Sequence, residues 1–351
     1  MTLARVSVAG AAAVAVLTLA SIPAMNLYYR SAAGEDCARC HEIRRNFDLW
    51  QHSSHRKVNC LDCHASSTRT NIRRVVRHWR GDVPEQIRLG LDDVLQMADR
   101  CRTCHQQEFA QWKSGRHSTT YARIFMDPKH NAKRRLMDDC LRCHGMHFAG
   151  GIADVVEPVS TAGPWQLKDP KLVNASAIPC LACHSMHREG EPLFRGETRV
   201  GGKEEIFRPS VSLMDRRSQL HIGVQYLPVP SVLEGNRPVR MSTDRRQSLC
   251  YQCHAPEPAR QVGSGDDRTP IGVHEGLSCL ACHQKHGLTT RASCADCHPR
   301  LSNCGLDVEK MDTTFRDPNS RHDVHRVKCI DCHEKGVPPR KRDQAAALRL
   351  D

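Results

Sequence analysis

The chain has 351 residues, of which 39% are hydrophobic and only 5% aromatic, with a formal charge of +12. This apolar share is below that of an ordinary soluble domain, which excludes a conventional core of aliphatic and aromatic side chains as the main source of stability. The unusual feature is the presence of 19 cysteines, and their spacing indicates what replaces such a core.

Eighteen of the 19 cysteines belong to one motif, Cys-x-x-Cys-His, which occurs nine times. This is the attachment sequence of c-type haem, in which two thiols form thioethers with the porphyrin and the histidine binds the iron. Structural zinc needs no histidine directly behind the second cysteine, and a thioredoxin-like pair occurs once. A disulfide framework would not keep one short spacing, so we predict nine covalently bound haem c groups. The motifs are Cys37, Cys40 and His41; Cys60, Cys63 and His64; Cys101, Cys104 and His105; Cys140, Cys143 and His144; Cys180, Cys183 and His184; Cys250, Cys253 and His254; Cys279, Cys282 and His283; Cys294, Cys297 and His298; and Cys329, Cys332 and His333.

Nine haems leave 351/9 = 39 residues for each, which is too few for independent cores since about 40 residues is the practical minimum. The predicted fold class is therefore mainly α with much irregular backbone, a multihaem cytochrome c whose core is the stacked haems. The predicted haems also change the net charge of the protein. Each ferric haem with two propionates adds about −1, which brings +12 to about +3, and nucleic acid is excluded as a partner.

Residues 1–30 form a separate segment. The run from Val6 to Tyr29 is uncharged and long enough to span a bilayer. We interpret it as an uncleaved membrane anchor, with a cleaved signal segment as the alternative. Either interpretation predicts export. The protein would lie on the periplasmic side of the bacterial cytoplasmic membrane, or in the periplasm or outside the cell if the segment is removed.

The motifs divide the rest of the chain into three parts. Residues 31–151 form a four-haem module of two duplicated haem pairs, 152–249 an insertion lobe with one haem, and 250–351 a second four-haem module with a basic tail. Between the two pairs of the first module we predict two amphipathic helices. In the insertion we predict strands near Ile222–Leu227 and Ser231–Leu233. The duplication appears as an aromatic residue, a tryptophan and a histidine at the same spacing: Phe47, Trp50 and His55, then Phe109, Trp112 and His117.

The second axial position of each iron decides between electron transfer and catalysis, because a haem with two protein ligands only passes electrons. Of 21 histidines, nine are in motifs and twelve remain, enough for bis-histidine ligation throughout. Three lie three residues after a motif histidine, where one helical turn would place both on one face: His147, His187 and His286. Three more lie shortly before a motif, and one follows the duplicated tryptophan: His55, His274, His325 and His117. His221, His130 and His78 compete for the last two positions. His52 and His322 are predicted to contact ligands or propionates, with replacement of the neighbouring His55 or His325 as ligand the alternative.

Two multihaem families share these features. Residues 1–150 resemble the NapC/NirT membrane-anchored tetrahaem family, through the apolar N-terminus, the two haem pairs and the second motif with Asp62 between its cysteines. The remainder resembles the doubled-CxxCH cytochromes that include decahaem electron conduits, through the sequences CLACHSMH and CLACHQKH. These resemblances imply electron transfer from quinol or a membrane quinol oxidoreductase to redox partner proteins.

We therefore predict electron transfer through nine mostly bis-histidine haems, with no catalytic residue, to a periplasmic or extracellular acceptor. The Cys-x-x-Cys-Lys motif of the pentahaem nitrite reductases does not occur, which argues against an enzyme. The alternatives are a multihaem oxidoreductase acting on a nitrogen or sulfur oxyanion at one five-coordinate haem, or a subunit of a cytochrome filament. The odd cysteine, Cys304, has no assigned role.

Overall fold

A computed structural model describes residues 3–31, 38, 41–64, 67–83, 89–187, 199–200, 203–204, 210–254, 267–287, 294–298, 307, 310–333 and 335–336. The first haem motif falls largely outside this set, since Cys37 and Cys40 are not included. Cys304 also lies outside it.

The described chain is mainly helical, with short helices joined by irregular backbone. The α-helices are α1 (Leu3–Ser31), α2 (His41–Gln51), α3 (Cys60–Cys63), α4 (Thr68–Trp79), α5 (Leu91–Arg102), α6 (Gln106–Ser114), α7 (Tyr121–Phe125), α8 (Pro128–Asn131), α9 (Gln247–His254), α10 (Cys279–Cys282), α11 (Cys294–Cys297) and α12 (Cys329–Cys332). Single turns of 3-10 helix cover Arg116–Ser118, Asp138–Arg142, Ile152–Asp154, Pro170–Leu172, Cys180–Ala182, Val224–Tyr226 and Gly272–His274. The mainly α prediction is thereby confirmed.

The strands form only two-stranded antiparallel hairpins within the described residues. They are β1 (Val156–Glu157) with β2 (Gln166–Leu167), β3 (Arg199–Val200) with β4 (Lys203–Glu204), β5 (Ser212–Asp215) with β6 (Leu220–Gly223), and β7 (Leu233–Glu234) with β8 (Arg237–Pro238). The strand predicted near Ile222–Leu227 is wrong at its C-terminal half. Because Gly223 is followed by a 3-10 turn, the extended backbone ends there.

The chain divides into two compact units. The first unit comprises Met1–His105, Ser185–Pro192 and Arg208–Ser210; the second comprises Gln106–His184, Leu193–Phe207 and Val211–Asp351. These units are defined by contacts, whereas the three-part division made from motif spacing stays a prediction.

In the first unit, the two amphipathic helices predicted between the haem pairs are confirmed as α4 and α5. Helix α5 buries Val94, Met97 and Ala98, which share one face at spacings of three and four. It also holds the second motif, because the Arg100 guanidinium donates to the Cys63 carbonyl at 2.6 Å. Among the described residues, no helix combines the length and the apolarity needed to cross a membrane.

The second unit has a small apolar core around α7. Tyr121 and Phe125 are almost completely buried, together with Leu141, Met146 and Val155. The Trp112 indole donates to the Ile178 carbonyl at 3.1 Å, which fixes α6 against this core. Among the described residues this core is small, and the haems predicted from the sequence would add to the interior.

Candidate haem-ligand pairs

A helical turn spans each motif whose two cysteines are described, either alone or at the end of a longer helix. The backbone N–H of the motif histidine donates to the carbonyl of the first cysteine, at 2.8 Å for His64, 3.0 Å for His144 and 2.7 Å for His298. Two cysteines three residues apart then lie on one face, with the histidine beside them. Several of these turns are capped: Ser278, for example, accepts from the N–H of Leu280. The local backbone is therefore compatible with two thioether bonds and one iron ligand on the same side.

Six motif histidines lie opposite a histidine from elsewhere in the chain, and in each case the second histidine is one of the seven predicted distal ligands. In the first unit the pairs and the distances between ring centres are His105 with His55 (6.1 Å) and His64 with His187 (5.8 Å). In the second unit they are His254 with His117 (6.3 Å), His184 with His286 (6.1 Å), His298 with His274 (6.2 Å) and His283 with His325 (5.9 Å).

The spacing within the pairs fits one metal ion between two rings. An imidazole nitrogen lies about 2.0–2.1 Å from a first-row metal, and the ring centre is about 1.1 Å further, so opposite ligands have centres about 6.3 Å apart. Aromatic contacts in general range over about 4.5–7 Å. The six pairs fall between 5.8 and 6.3 Å, although their interplanar angles range from 12° to 69°. A constant distance with a variable angle is expected when two rings share one central atom, about which each can rotate.

Hydrogen bonds at Nδ1 orient several of these rings. The Nδ1 of His187 lies 2.9 Å from the Asn46 carbonyl, and that of His274 lies 2.7 Å from the Val324 carbonyl. A carbonyl accepts only, so Nδ1 carries the hydrogen and Nε2 keeps its lone pair. Such partners are typical of metal-binding histidines because they fix the tautomer and the ring direction.

Burial favours the neutral form of three of the paired histidines. It lowers the pKa of His117, an effect to which the charges of His254 and His286 add. Burial likewise lowers the pKa of His187 and of His283. A metal binds only the neutral imidazole, so these shifts favour the form that a haem iron would bind.

His147 is the seventh predicted ligand, and it stands apart from the six pairs. It is only 7% exposed, and its Nε2 is buried without a hydrogen-bond partner. Burial lowers its pKa to about 4, while a hydrogen bond with the Leu181 backbone opposes that effect. A buried bare nitrogen is costly unless it binds something, which fits a ligand position.

The prediction that a helical turn joins each motif histidine to the histidine three residues later is wrong. All three segments leave the helix at or before the motif histidine. After His144 the chain turns at Gly145, where φ is +119° and an added Cβ would lie 2.9 Å from the Tyr121 hydroxyl. The turn at Gly145 breaks the helical spacing between His144 and His147. After the fifth motif the two histidines also have different partners, because His184 lies opposite His286 and His187 lies opposite His64.

The remaining predicted histidines are not among the six pairs. His144 and His333 are the two motif histidines with described side chains that are outside the six pairs. The charge of His130 lowers the pKa of His144, after burial and the charge of His254, which places His130 near that motif. His221 lies on β6 with its Nδ1 2.9 Å from the Ser212 hydroxyl, and His78 is exposed on α4. The side chain of His41 lies outside the described residues.

His52 and His322 have the same kind of Nδ1 contact as the paired histidines. The Nδ1 of His52 is 2.7 Å from the Asp48 carbonyl, and that of His322 is 2.6 Å from the Asp312 carbonyl. In both, Nδ1 therefore carries the hydrogen and Nε2 keeps its lone pair. Their predicted role as contacts to ligands or propionates stays a prediction.

The duplicated unit has the same geometry in both copies. Phe47 and Trp50 have ring centres 5.4 Å apart, and Phe109 and Trp112 have ring centres 5.5 Å apart. Each copy ends in a histidine that lies opposite a motif histidine, His55 in the first and His117 in the second. The repeat in the sequence thus corresponds to a repeated ligand-presenting element.

Among the described motifs of the second unit, the sixth motif, on α9, lies close to three others. Its Cys253 is near enough to Cys143 of the fourth motif to raise the pKa of Cys253, and Cys250 is near enough to Cys279 of the seventh to raise the pKa of Cys279. Burial raises the pKa of Cys183 in the fifth motif to about 12, and the charge on Cys250 adds to this effect. Cysteines of three other motifs therefore lie near those of the sixth.

A buried ion pair beside these motifs was missed by the sequence reasoning. Asp244 accepts from Arg246 at 2.7 Å and from the Ser278 hydroxyl at 2.7 Å. The side chain of Asp244 is 3% exposed and that of Arg246 is 13% exposed. Ser278 directly precedes Cys279 of the seventh motif. An aspartate two residues before an arginine in a polar stretch gives no signal of burial, so only the fold shows it.

Comparison with known proteins points to the same class of cofactor. Residues 100–185, which hold the third to fifth motifs, match the family model described as cytochrome c554 and c-prime. The cytochrome c-type protein NrfH of Wolinella succinogenes is 26% identical over 129 residues, covering 34% of this chain and 69% of the relative. This chain is similar to multihaem c-type cytochromes. A comparison with solved structures finds no match.

The similarity supports covalently bound haem c and electron transfer as the general chemistry. The NrfH match is consistent with the resemblance of residues 1–150 to the NapC/NirT family. A bound haem would supply one-electron reduction and oxidation at its iron. The two cysteines of each motif would attach such a group, and the paired imidazole rings would be the residues that hold its iron.

Proposed function

We propose that this protein carries electrons through nine covalently bound c-type haems, most of them with two histidine ligands. The observation that supports this best is the set of six histidine pairs, each joining a motif histidine to one from a distant part of the chain. When both axial positions are filled by protein, the iron can exchange electrons but has no position for a substrate.

The proposed distal ligands are His55, His117, His187, His274, His286 and His325 for the six pairs. His147 supplies a seventh, since its buried Nε2 has no other role in the described structure. His130 is proposed for the fourth motif, because it lies near His144. His221 and His78 remain candidates for the last position. The stacked haems would then provide the interior that the small apolar cores lack.

The proposed route runs from a membrane quinol pool, or a quinol oxidoreductase, to a periplasmic or extracellular acceptor. The support is the similarity to the protein named NrfH, together with the resemblance of residues 1–150 to membrane-anchored quinol dehydrogenases. Residues 1–30 would hold the chain at the periplasmic side of the cytoplasmic membrane. N-terminal mass spectrometry of the mature protein tests this, because loss of these residues would contradict anchoring.

The test of the ligand assignment is a count of iron spin states. We expect low-temperature EPR and magnetic circular dichroism of the oxidised full-length protein to show low-spin bis-histidine haem at nearly all sites, with intact mass giving nine haems per chain. Several high-spin haems, or a mass with far fewer groups, would contradict the proposal.

A second candidate, an oxidoreductase acting on an oxyanion, is favoured by one cavity in the second unit. Its volume is about 150 Å³, and its lining includes Arg142 of the fourth motif, Gln252 of the sixth, and Arg216. The Nε of Arg216 is buried without a hydrogen-bond partner. Asp215 also lines the cavity, but its carboxylate already accepts from Ser218. One high-spin haem whose signal changes on adding nitrite or sulfite would favour this candidate.

A further inference from the structure

Helix α4 (Thr68–Trp79) carries an exposed apolar stripe that the haem chemistry does not explain. Ile72, Val76 and Trp79 are spaced by four and three residues, so they lie on one face of the helix. Their exposed fractions are 44%, 36% and 82%. A large apolar surface rimmed by polar residues marks an interaction site in a folded protein.

A basic stripe adjoins the apolar one. Arg69, Arg73, Arg77 and Arg80 follow each other at intervals of three or four residues, and all four are exposed. Arg77 donates to the Asp82 carbonyl at 3.0 Å, which leaves its positive charge unbalanced. The sequence has no acidic residue from Thr68 to Gly81. The helix therefore presents neighbouring apolar and cationic surfaces with no anionic group on either.

We propose that α4 lies in the interface of a bilayer that contains anionic lipid. Ile72, Val76 and Trp79 enter the boundary between headgroups and acyl chains, and the arginines contact headgroup phosphates. Long arginine side chains beside an apolar stripe can extend to the phosphates while their stems stay in contact with the acyl region. Tryptophan at the end of such a stripe is typical of membrane interfaces, and each basic residue adds attraction to an anionic surface.

A lipid surface fits this helix better than a protein partner does. A stable protein interface needs about 800 Å² from each side with matched shapes. A stripe of three side chains on a helix of about 18 Å is too narrow for that, whereas a bilayer needs only amphipathicity and charge. The inference goes beyond electron transfer and does not depend on whether residues 1–30 are cleaved. It gives the first unit a fixed face toward the membrane.

Hydrogen exchange with mass spectrometry tests the proposal on the full-length haem-loaded protein. The probes are vesicles of phosphatidylglycerol and vesicles of phosphatidylcholine. We expect exchange in residues 68–81 to slow at least about tenfold with phosphatidylglycerol and much less with phosphatidylcholine. We also expect the protection to weaken as salt is raised, because screening reduces attraction to the headgroups.

Two variants and two controls separate the charges from the apolar contacts. The quadruple variant R69Q/R73Q/R77Q/R80Q and the single variant Trp79→Ala should each lose most of the protection. The matched controls are K133Q/R134Q/R135Q, which removes three exposed charges in the second unit, and Tyr226→Ala, which removes another exposed aromatic ring (75% exposed). Both control variants should retain the protection of residues 68–81 by phosphatidylglycerol. Unchanged haem absorption spectra show that each variant folds.

Three results would overturn the proposal. Equal protection by both lipids would remove the role of the arginines. No further slowing of exchange in residues 68–81 when phosphatidylglycerol is added would show that the helix does not bind the bilayer. Protection that appears only with an acidic redox protein, and not with phosphatidylglycerol, would assign the surface to a protein partner.

Discussion

At the scale of single residues, the ability of a histidine to bind a metal depends on which ring nitrogen its hydrogen bond leaves with a lone pair. In His187, the hydrogen bond from Nδ1 to the Asn46 carbonyl leaves Nε2 for a metal, and the ring centre lies 5.8 Å from that of His64. Neither burial nor this hydrogen bond can be recognised from the histidine's sequence neighbours. Both follow from where the chain places the residue.

Substitution of His187 by methionine tests this assignment. Because methionine ligation raises the reduction potential over histidine, we expect one bis-histidine low-spin signal to disappear and one midpoint potential to rise. EPR and a spectroelectrochemical titration measure these changes. Met186→Leu, which alters the adjacent side chain and keeps the histidine, should change neither. An unaltered number of bis-histidine signals in the His187→Met variant would exclude His187 as a ligand.

The buried pair of Asp244 and Arg246 gives a second prediction at the same scale. Substitution of Asp244 by asparagine leaves a buried guanidinium without its counter-ion, so we expect the free energy of unfolding to fall by about 3–5 kcal/mol. Chemical denaturation followed by far-UV circular dichroism measures it. Asp99→Asn breaks an exposed pair with Arg102 and should cost less than about 1 kcal/mol. Equal effects of the two substitutions would contradict the role of burial.

At the scale of elements, an ion-pair network connects the β7–β8 hairpin to two haem motifs. Arg237 binds Glu275 at 2.8 and 2.7 Å and also Glu234, whose other oxygen lies 2.7 Å from Lys328. Glu275 follows His274, and Lys328 precedes Cys329. The hairpin therefore holds the segments that carry a proposed ligand and an attachment site. Hydrogen bonds from Lys328 and Arg237 lower the pKa of the Glu234 carboxyl.

The lowered pKa of Glu234 predicts how stability depends on pH. A carboxyl with a lower pKa in the folded state stabilises the protein above its unfolded value, near 4.5, and this contribution is lost as the pH falls below that value. Glu234→Gln should therefore lower the melting temperature more at pH 7 than near pH 3. Thermal unfolding followed by circular dichroism at both pH values measures this. A deficit of the same size at both would contradict it.

At the scale of the whole molecule, the contacts of the sixth motif predict a branch in the electron path of the second unit. Its cysteines contact or interact with those of the fourth, fifth and seventh motifs. The eighth motif lies near the seventh, since burial raises the pKa of Cys282 and the charges on Cys297 and Cys294 add to this effect. Haems attached at these cysteines would be close neighbours, with one haem joined to three others.

Removal of the haem at the sixth motif tests this branch. In the variant C250S/C253S we expect three other haems to change their EPR signals and potentials, because each loses a charged neighbour. In the control C294S/C297S, at the eighth motif, we expect one such change in the second unit. Intact mass should give eight haems for both variants. A single perturbed haem in C250S/C253S would contradict the branch.

Much of the candidate site could be predicted from the spacing of residues that are close in the sequence. The spacing Cys-x-x-Cys-His by itself predicts haem attachment, since one helical turn brings the thiols and the histidine together. The surplus of histidines predicts double ligation, and all six histidines found opposite a motif histidine were among the seven favoured. The helical turn expected after the motifs at His144, His184 and His283 was wrong, because the chain leaves the helix there.

Only the tertiary structure decided which histidine faces which motif. The pairs His64 with His187, His117 with His254 and His184 with His286 join residues more than a hundred positions apart. Residue spacing determines geometry only within a helical turn or a hairpin, whereas these contacts depend on the path of irregular loops between short helices. The burial of Asp244 and the clustering around the sixth motif have the same origin. The sequence therefore predicts the cofactor and the type of ligand, and the fold determines which histidines meet and which motifs are neighbours.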